Sequence, residues 1–490
     1  MTTTTQNQAC DLILFGTKGD LARRKLLPAL YQLEKAGLLA ADSRIIGVAR
    51  DEMDNSAYIE LVKTNLTRFL KKEGLDEQVW ASLAAKLHYV AIDLTQTSDY
   101  QKLTAIVDIE KRVPVSYFAT PPSLFGDLCR GLAEAGLAAD PSRVVLEKPI
   151  GHDLASSKVI NDKVAEYFKE SQIYRIDHYL GKETVLNLLA LRFANAIFAS
   201  NWDHNAIDHV QITVAEEVGV EGRWSYYDDA GQMRDMVQNH LLQVLSLIAM
   251  EPPARLDADS IRDEKLKVLK ALRTIDDSNI QLKTVRGQYA SGFATGQAVP
   301  GYLEEEGARP NSKTETFVAI KVDIDNWRWA GVPFYLRTGK RMPKKHSEVV
   351  ICFKPQPHNI FHETYRELPA NKLIIRLQPD EGVEIQVMNK IPGLGESMRL
   401  QQSKLDLSFD ETFKAQRIAD AYERLLLEAM LGNQYLFVRR DEVEQAWKWV
   451  DGIINAWRNC NEPPKSYQAG TWGPVAAISM MARDDRNWDE

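Results

Sequence analysis

Six short apolar runs occupy the first 177 residues: Asp11 to Phe15, Arg44 to Ala49, Leu87 to Ile92, Val115 to Ala119, Val144 to Leu146 and Ile173 to Ile176. Stretches of helical spacing separate most of them. This alternation constrains the fold more than any other feature, because neighbouring parallel strands need a long crossover and that crossover is usually a helix. It predicts a Rossmann-type, doubly wound parallel sheet, whose ligands bind outside the carboxyl ends of the strands. The residues standing there are Gly16, Arg50, Asp93, Thr120 with Pro121, Glu147 with Lys148 and Pro149, and Asp177 with His178. Polar and turn residues also end strands for ordinary loop chemistry. Converging on one crevice, however, an ammonium, a carboxylate and an imidazole are what a cofactor and a substrate require. Lys148 precedes a proline, which biases it to an extended conformation.

The first run leads into Gly16, Thr17, Lys18, Gly19, Asp20, Leu21 and Ala22, after which Leu26, Leu27, Leu30, Tyr31 and Leu33 recur at helical spacing. In such a strand, turn and helix the glycines let the backbone approach a pyrophosphate and the helix N-terminus receives it. The match to the usual dinucleotide fingerprint is imperfect, since Lys18 stands where its second glycine falls. Arg50 closes the second run, where an arginine accommodates the 2′-phosphate of NADP. Asp51 beside it keeps a 2′-hydroxyl, and so NAD, open. Arg50 also reads as a plain surface cation.

Residues 175 to 183 read Arg-Ile-Asp-His-Tyr-Leu-Gly-Lys-Glu, between the sixth run and a helical pattern at Val185, Leu186, Leu188, Leu189 and Leu191. A helix starting near Asp177 sets His178 and Lys182 four apart on one face, beside free backbone N–H groups that favour an anion such as phosphate. Asp177 is an acceptor only when ionised and could fix the ring of a histidine from elsewhere. The same residues also read as an Asp N-cap followed by a solvated basic turn.

From Ile207 the pattern changes to period two, and similar runs recur at Thr316 to Val322, Val332 to Leu336, Glu348 to Lys354, Leu373 to Leu377 and Val383 to Met388. The turn Pro379-Asp-Glu-Gly382 between two of them predicts antiparallel pairing. The expectation is a Rossmann-like domain over 1–177 followed by a larger α+β domain over 178–490, built on a mostly antiparallel sheet. Helices are expected over Met233 to Met250, Glu411 to Leu431 and Glu442 to Trp457. The last two carry apolar stripes, Phe413, Ala421 and Leu425 in one and Val443, Trp447 and Val450 in the other. His240 lies in the first helix with Met236 and Val244 four residues to either side, and a lone histidine on such a face is more often a satisfied core residue. The stretch from Arg337 to His346 holds five lysines and arginines, which read as a solvated basic loop or as an attractor of an anionic substrate. A wide sheet with one uncovered face suits the pairing of subunits.

A net charge of −8 argues against nucleic acid, whose partners present a basic face. The four cysteines are scattered without a Cys-x-x-Cys pair, and no His-Glu-x-x-His is present, so neither a disulfide framework nor a metal site is expected. The polar, Thr-rich start from Met1 to Gln8 has no apolar core, and no stretch reaches the roughly 20 apolar residues that span a bilayer. A cytoplasmic protein without a membrane partner is expected.

With these motifs in order the chain resembles the glucose-6-phosphate dehydrogenase family from end to end. The resemblance rests on Arg175-Ile-Asp-His-Tyr-Leu-Gly-Lys-Glu183, Gly16-x-x-Gly-Asp-Leu-Ala22, Glu147-Lys-Pro-x-Gly151, Gln238-Asn-His-Leu-Leu-Gln243 and Asp420-Ala-Tyr-Glu-Arg-Leu-Leu426. It implies oxidation of glucose 6-phosphate at C1 to the 6-phosphogluconolactone with reduction of NADP, the first step of the oxidative pentose phosphate pathway, by a homodimer or homotetramer. It further implies His240 as general base, Asp177 as the carboxylate orienting it, and Lys148 between sugar and nicotinamide. His178, Tyr179 and Lys182 would bind the substrate phosphate, and Glu216, Asp235, Lys340 and Lys345 the sugar. Gly16, Thr17, Lys18, Gly19, Asp20, Leu21, Arg50, Asp93, Leu94, Lys148 and Pro149 would hold NADP. The alternative is another two-domain NAD(P)-dependent sugar or polyol dehydrogenase, which shares the glycine turn and a Glu-Lys-Pro stretch but generally lacks the Asp177 to Lys182 constellation. A rival of another class is a non-catalytic NADP-binding regulator, against which the presence of Lys148 and His240 speaks.

Overall fold

The computed structural model describes residues 8–70, 74–394, 398–414 and 417–490. The Thr-rich start read for a leader lies, through residue 7, outside them. The chain divides into two compact units: Met1–Lys182, Pro253–Asp263 and Ala419–Glu444 form one, and Glu183–Pro252, Glu264–Ile418 and Gln445–Glu490 the other. A single boundary read along the sequence does not anticipate two later segments returning to the first unit.

The first unit holds six strands: β1 (Cys10–Phe15), β2 (Arg44–Ala49), β3 (Leu87–Ala91), β4 (Val113–Phe118), β5 (Arg143–Leu146) and β6 (Ile173–Arg175). All neighbours run parallel in the order β3-β2-β1-β4-β5-β6, so the direction of strand succession reverses between β1 and β4. Every residue of β1 is buried, the pattern of a parallel strand covered on both faces. Close approach also decides residues here: a Cβ on Gly47 would lie 2.3 Å from the Tyr58 hydroxyl, so only glycine lets that ring cross the strand. The returning segments are tied in by buried side chains, with Arg262 Nε donating to the Phe437 carbonyl at 2.9 Å.

The second unit is organised on nine strands: β7 (Ile207–Ala215), β8 (Thr284–Ala290), β11 (Phe317–Val322), β12 (Phe334–Gly339), β13 (His346–Phe353), β14 (Lys372–Gln378), β15 (Gly382–Lys390), β16 (Leu400–Ser408) and β17 (Lys465–Gln468), with a separate hairpin of β9 (Gly292–Ala294) and β10 (Gln297–Val299). Their order is β16-β15-β14-β13-β7-β12-β11-β8-β17. Pairing is antiparallel as expected except at two places, β7 with β12 and β8 with β17, which run parallel. An aromatic cluster of Trp224, Tyr227, Tyr302, Phe317, Tyr335 and Tyr467 packs beside the sheet.

Two helices differ from the sequence reading. Instead of one helix from Glu411 to Leu431, a single turn spans Phe409–Thr412 and a separate helix spans Ala421–Leu431, with residues 415–416 outside the described set. Asp420 explains the restart, since its side chain and that of Glu423 form a reciprocal cap on the helix N-terminus. Phe413, expected on the apolar stripe, is 51% exposed. The expected helix over Met233 to Met250 is π-helical over Met233–Leu241 and α-helical over Leu242–Ala249, and Gly231 at φ 72° kinks the chain just before it. Among the described residues no helix is long and apolar enough to cross a membrane.

Candidate active site

In the first unit the glycine turn lies where β1 ends, beside the β1/β4 reversal that doubly wound sheets use for ligands. Gly16 has φ +84°, and a Cβ there would lie 2.5 Å from the Ala119 carbonyl oxygen, so glycine is required twice over. The turn is braced by Gly16 and Thr17 N–H groups donating to Val48 O at 3.0 and 3.2 Å, and by a 2.7 Å bond between the Thr17 and Tyr58 hydroxyls. The helix after it begins at Asp20 with Leu21 and Ala22 in its first turn.

Arg50, one residue past β2, is exposed. Its acidic neighbour Asp51 is engaged by the Lys18 ammonium at 2.6 Å, which holds the Asp51 carboxyl below the usual carboxylate range. The carboxylate that could have taken a ribose 2′-hydroxyl is thus occupied, and two cations flank the strand end. The donor set fits a dinucleotide with a phosphate on that ribose. Asp93 uses its carboxylate on the Thr95 N–H and hydroxyl at 3.0 and 2.8 Å, and Leu94 O accepts from the Tyr100 hydroxyl at 3.1 Å. These bonds hold the Asp93 carboxyl below the usual range, so its charge is kept and its position fixed by the loop.

β5 and β6 pair in register Leu146↔Arg175, and the Ile176 N–H continues the ladder to Leu146 O at 2.9 Å. Parallel strands ending at the same level deliver Glu147 and Lys148 beside Ile176 and Asp177. Glu147 is buried at 8% exposure, accepts from the Tyr117 hydroxyl at 2.5 Å, and is pushed above the usual glutamate range by that burial. Lys148 is half-buried next to it and Pro149 is exposed.

The segment after β6 does not start a helix at Asp177. Asp177 Oδ1 accepts the Tyr179 N–H at 2.9 Å, Leu180 N–H donates to Asp177 O at 3.0 Å, and Lys182 N–H to Tyr179 O at 3.1 Å. These are successive turns, and the helix begins only at Glu183. The same side-chain bond to the N–H two residues on caps the helix that follows Asp420, so it serves a turn as readily as a helix start. Gly181 is needed because a Cβ would lie 2.6 Å from the Ala421 carbonyl oxygen. His178 and Lys182 are accordingly not neighbours on one helical face. His178 stacks on Tyr422 with ring centres 6.3 Å apart and 8° between planes, and the Lys182 ammonium sits 5.2 Å over the Tyr179 ring. Asp177 is 2% exposed and Tyr179 3%.

In the second unit the residues past a parallel pair again meet. β7 and β12 end in register at Ala215↔Gly339, and the next residues, Glu216 and Lys340, form a 2.9 Å ion pair. The Lys340 ammonium also lies 3.9 Å from Asp235 and 5.0 Å from the Tyr227 ring centre. Two carboxylates and an ammonium at this spacing suit a polyol, whose hydroxyls both donate and accept. Asp235 and His240 share the π-helical segment, a rare geometry frequent at functional sites. His240 is fully buried. Lys345 is exposed in the loop after β12 and makes no ion pair with this cluster.

Sequence reading did not single out Tyr117, Tyr227, Tyr422 or Glu315. All are buried, and Glu315 Oε1 accepts the Met233 N–H at 3.1 Å, capping the turn that carries Asp235 and His240. Tyr422 lies within a motif already noted, but nothing in one sequence marks a tyrosine in a strand or helix as a support.

Two family profiles cover the chain: the glucose-6-phosphate dehydrogenase NAD binding domain matches residues 13–187 and the C-terminal domain of the same family matches 189–489. The chain belongs to the glucose-6-phosphate dehydrogenase family. As a member of that family it is 65% identical over 490 residues, all of both chains, to the glucose-6-phosphate 1-dehydrogenase of Dickeya dadantii (strain 3937). It is 50% identical over 482 residues to that of Rhizobium meliloti (strain 1021), covering 98% of this chain and 97% of the relative. A solved glucose-6-phosphate dehydrogenase in complex with its substrate glucose-6-phosphate superposes with TM-score 0.90 at 36% identity, covering both chains completely. The glucose-6-phosphate 1-dehydrogenase of Mycobacterium avium superposes with TM-score 0.86 at 37% identity over 99% of each chain.

Proposed function

We propose that this dehydrogenase oxidises glucose 6-phosphate at C1 to 6-phospho-glucono-1,5-lactone, passing the hydride to NADP. The observation that carries the reading is full-length membership of the family together with the polyol clamp Glu216, Lys340 and Asp235 on the turn that bears His240. His240 takes the proton of the C1 hydroxyl, for which an imidazole that is neutral near the working pH is suited. Asp177 orients the imidazole and steadies its charged form. His178, Tyr179 and Lys182 hold the substrate phosphate, and that binding energy, remote from C1, fixes the sugar for reaction. Lys148 positions the reacting hydroxyl, next to the buried Glu147 that accepts from the Tyr117 hydroxyl. NADP supplies the hydride acceptor. The exposed Arg50 favours it over NAD, and the half-buried Lys18 engages the neighbouring Asp51 carboxylate.

Two further parts of the reading concern setting. β16 forms one edge of the nine-stranded sheet with Leu405 63% and Leu407 45% exposed, a surface suited to a second copy of the chain in a dimer or tetramer. The protein works in the cytoplasm, in keeping with four unpaired cysteines. An assay at the nicotinamide absorbance near 340 nm tests the whole: glucose 6-phosphate with NADP turns over, and unphosphorylated glucose or NAD does so far less efficiently. Equal efficiency with glucose would favour a general sugar dehydrogenase instead.

A further inference from the structure

A cleft of about 320 Å³ in the second unit, outside the polyol clamp, is lined by Arg234, Arg286, Lys313, Arg458, Glu315 and Asn461 among others. In a chain whose net charge is −8, four cations facing one cleft form an unusual local field. Among the described residues, three of them, Arg286, Lys313 and Arg458, make no ion pair within 4 Å, although the Glu315 and Glu462 carboxylates act on Arg286 from further away. Lys313 Nζ donates to Asn461 Oδ1 at 2.8 Å, Arg458 reaches Asn455 Oδ1 at 3.4 Å, and Arg286 donates to the Glu462 backbone carbonyl. Arg286 is fixed in place by lying 5.4 Å over the buried Trp457 ring. The one acidic side chain in the lining, Glu315, is buried, and burial raises its carboxyl above the usual range.

We propose that this cleft binds a small phosphorylated polyanion carrying at least two negative charges, as a site separate from the substrate and coenzyme positions. Four cations around one cleft, against a single lining carboxyl, repel one another, and a phosphate group relieves that repulsion while accepting from guanidinium forks. Pockets of a few hundred cubic ångströms take a ligand of metabolite size. Occupancy reaches the reaction through Glu315. Its carboxylate caps the turn bearing Asp235 and His240, and the charges of Arg234 and Arg286 act on it. An anion that engages those guanidiniums alters the cap without touching the sugar.

The test uses the full chain, inorganic pyrophosphate as the probe, and calorimetric titration in the presence of saturating NADP. Wild type is expected to bind one more pyrophosphate per chain than Lys313→Glu/Arg458→Glu, or to bind the extra one about tenfold or more tightly. Both residues are exposed, so the variant keeps its fold and its basal kcat and KM. Arg286→Gln, which removes the stacked guanidinium, lowers the same binding event. Identical stoichiometry and affinity in all three proteins overturns the proposal. So does complete displacement of pyrophosphate by glucose 6-phosphate, which would place the probe in the substrate's own phosphate pocket.

Discussion

The two units solve the same problem with different sheets. In the first, β5 and β6 end level and deliver Lys148 and Asp177 side by side; in the second, β7 and β12 end level and deliver Glu216 and Lys340 into an ion pair. The first pair sits in a wholly parallel sheet, where the carboxyl edge is the expected place for function. The second is one of two parallel pairings in a sheet that is otherwise antiparallel, and it is there that charged residues gather. What the difference teaches is that the local rule, two parallel strands ending together, gathers the candidate residues in both units, whereas the class of the whole sheet does not.

If the division of labour follows that comparison, substitutions in the second unit's clamp and helix should disturb turnover and sugar recognition, and those at His178, Tyr179 and Lys182 after β6 should disturb phosphate recognition. The largest effect is expected from His240→Asn, with kcat falling on the order of 10²-fold or more and KM for glucose 6-phosphate little changed. Steady-state kinetics at saturating NADP checks it, and near-normal turnover would remove His240 as the base. Lys182→Ala should raise KM for glucose 6-phosphate by about 30-fold, the loss of a charge-assisted bond to phosphate, while leaving KM for glucose unaltered. A parallel rise for both sugars would move Lys182 out of the phosphate pocket. Glu216→Gln should raise KM for both glucose 6-phosphate and glucose by about tenfold, because it weakens the clamp rather than the phosphate site. Were it to affect only the phosphorylated sugar, the contrast drawn between the units would fail.

The smallest effect is expected from Tyr117→Phe. It removes a donor to the buried Glu147 carboxylate and should cost about 1–3 kcal/mol of stability by denaturant unfolding. Because Glu147 adjoins Lys148, kcat should also fall modestly, with KM for NADP unchanged. A stable variant with unaltered kcat would show that Lys148 does not depend on this support.

Much of the first unit was legible because its strands are short, apolar and buried on both faces: β2 begins and ends where the residues predict, at Arg44 and Ala49. The strands that escaped reading lack that signal. β16 is exposed along most of its length and reads as a polar segment, while β8 carries Arg286, Gly287 and Gln288 in mid-strand. The turn from Asp177 to Lys182 escaped for another reason, since an aspartate that bonds the N–H two residues on serves a turn as readily as a helix start. The residues of the candidate site were legible mainly through motif resemblance, and their supports were not.

By itself the sequence determined the alternation that makes the first unit parallel, the need for glycine at Gly16, and the motifs that place the chain in its family. Tertiary structure decided that Lys18 engages Asp51, that Glu216 meets Lys340, that Glu147 leans on Tyr117, and that four cations share a cleft. The physical reason is separation along the chain: pattern and turn chemistry act over a few residues, whereas an ion pair such as Glu216 with Lys340 joins groups that only strand order brings within 2.9 Å.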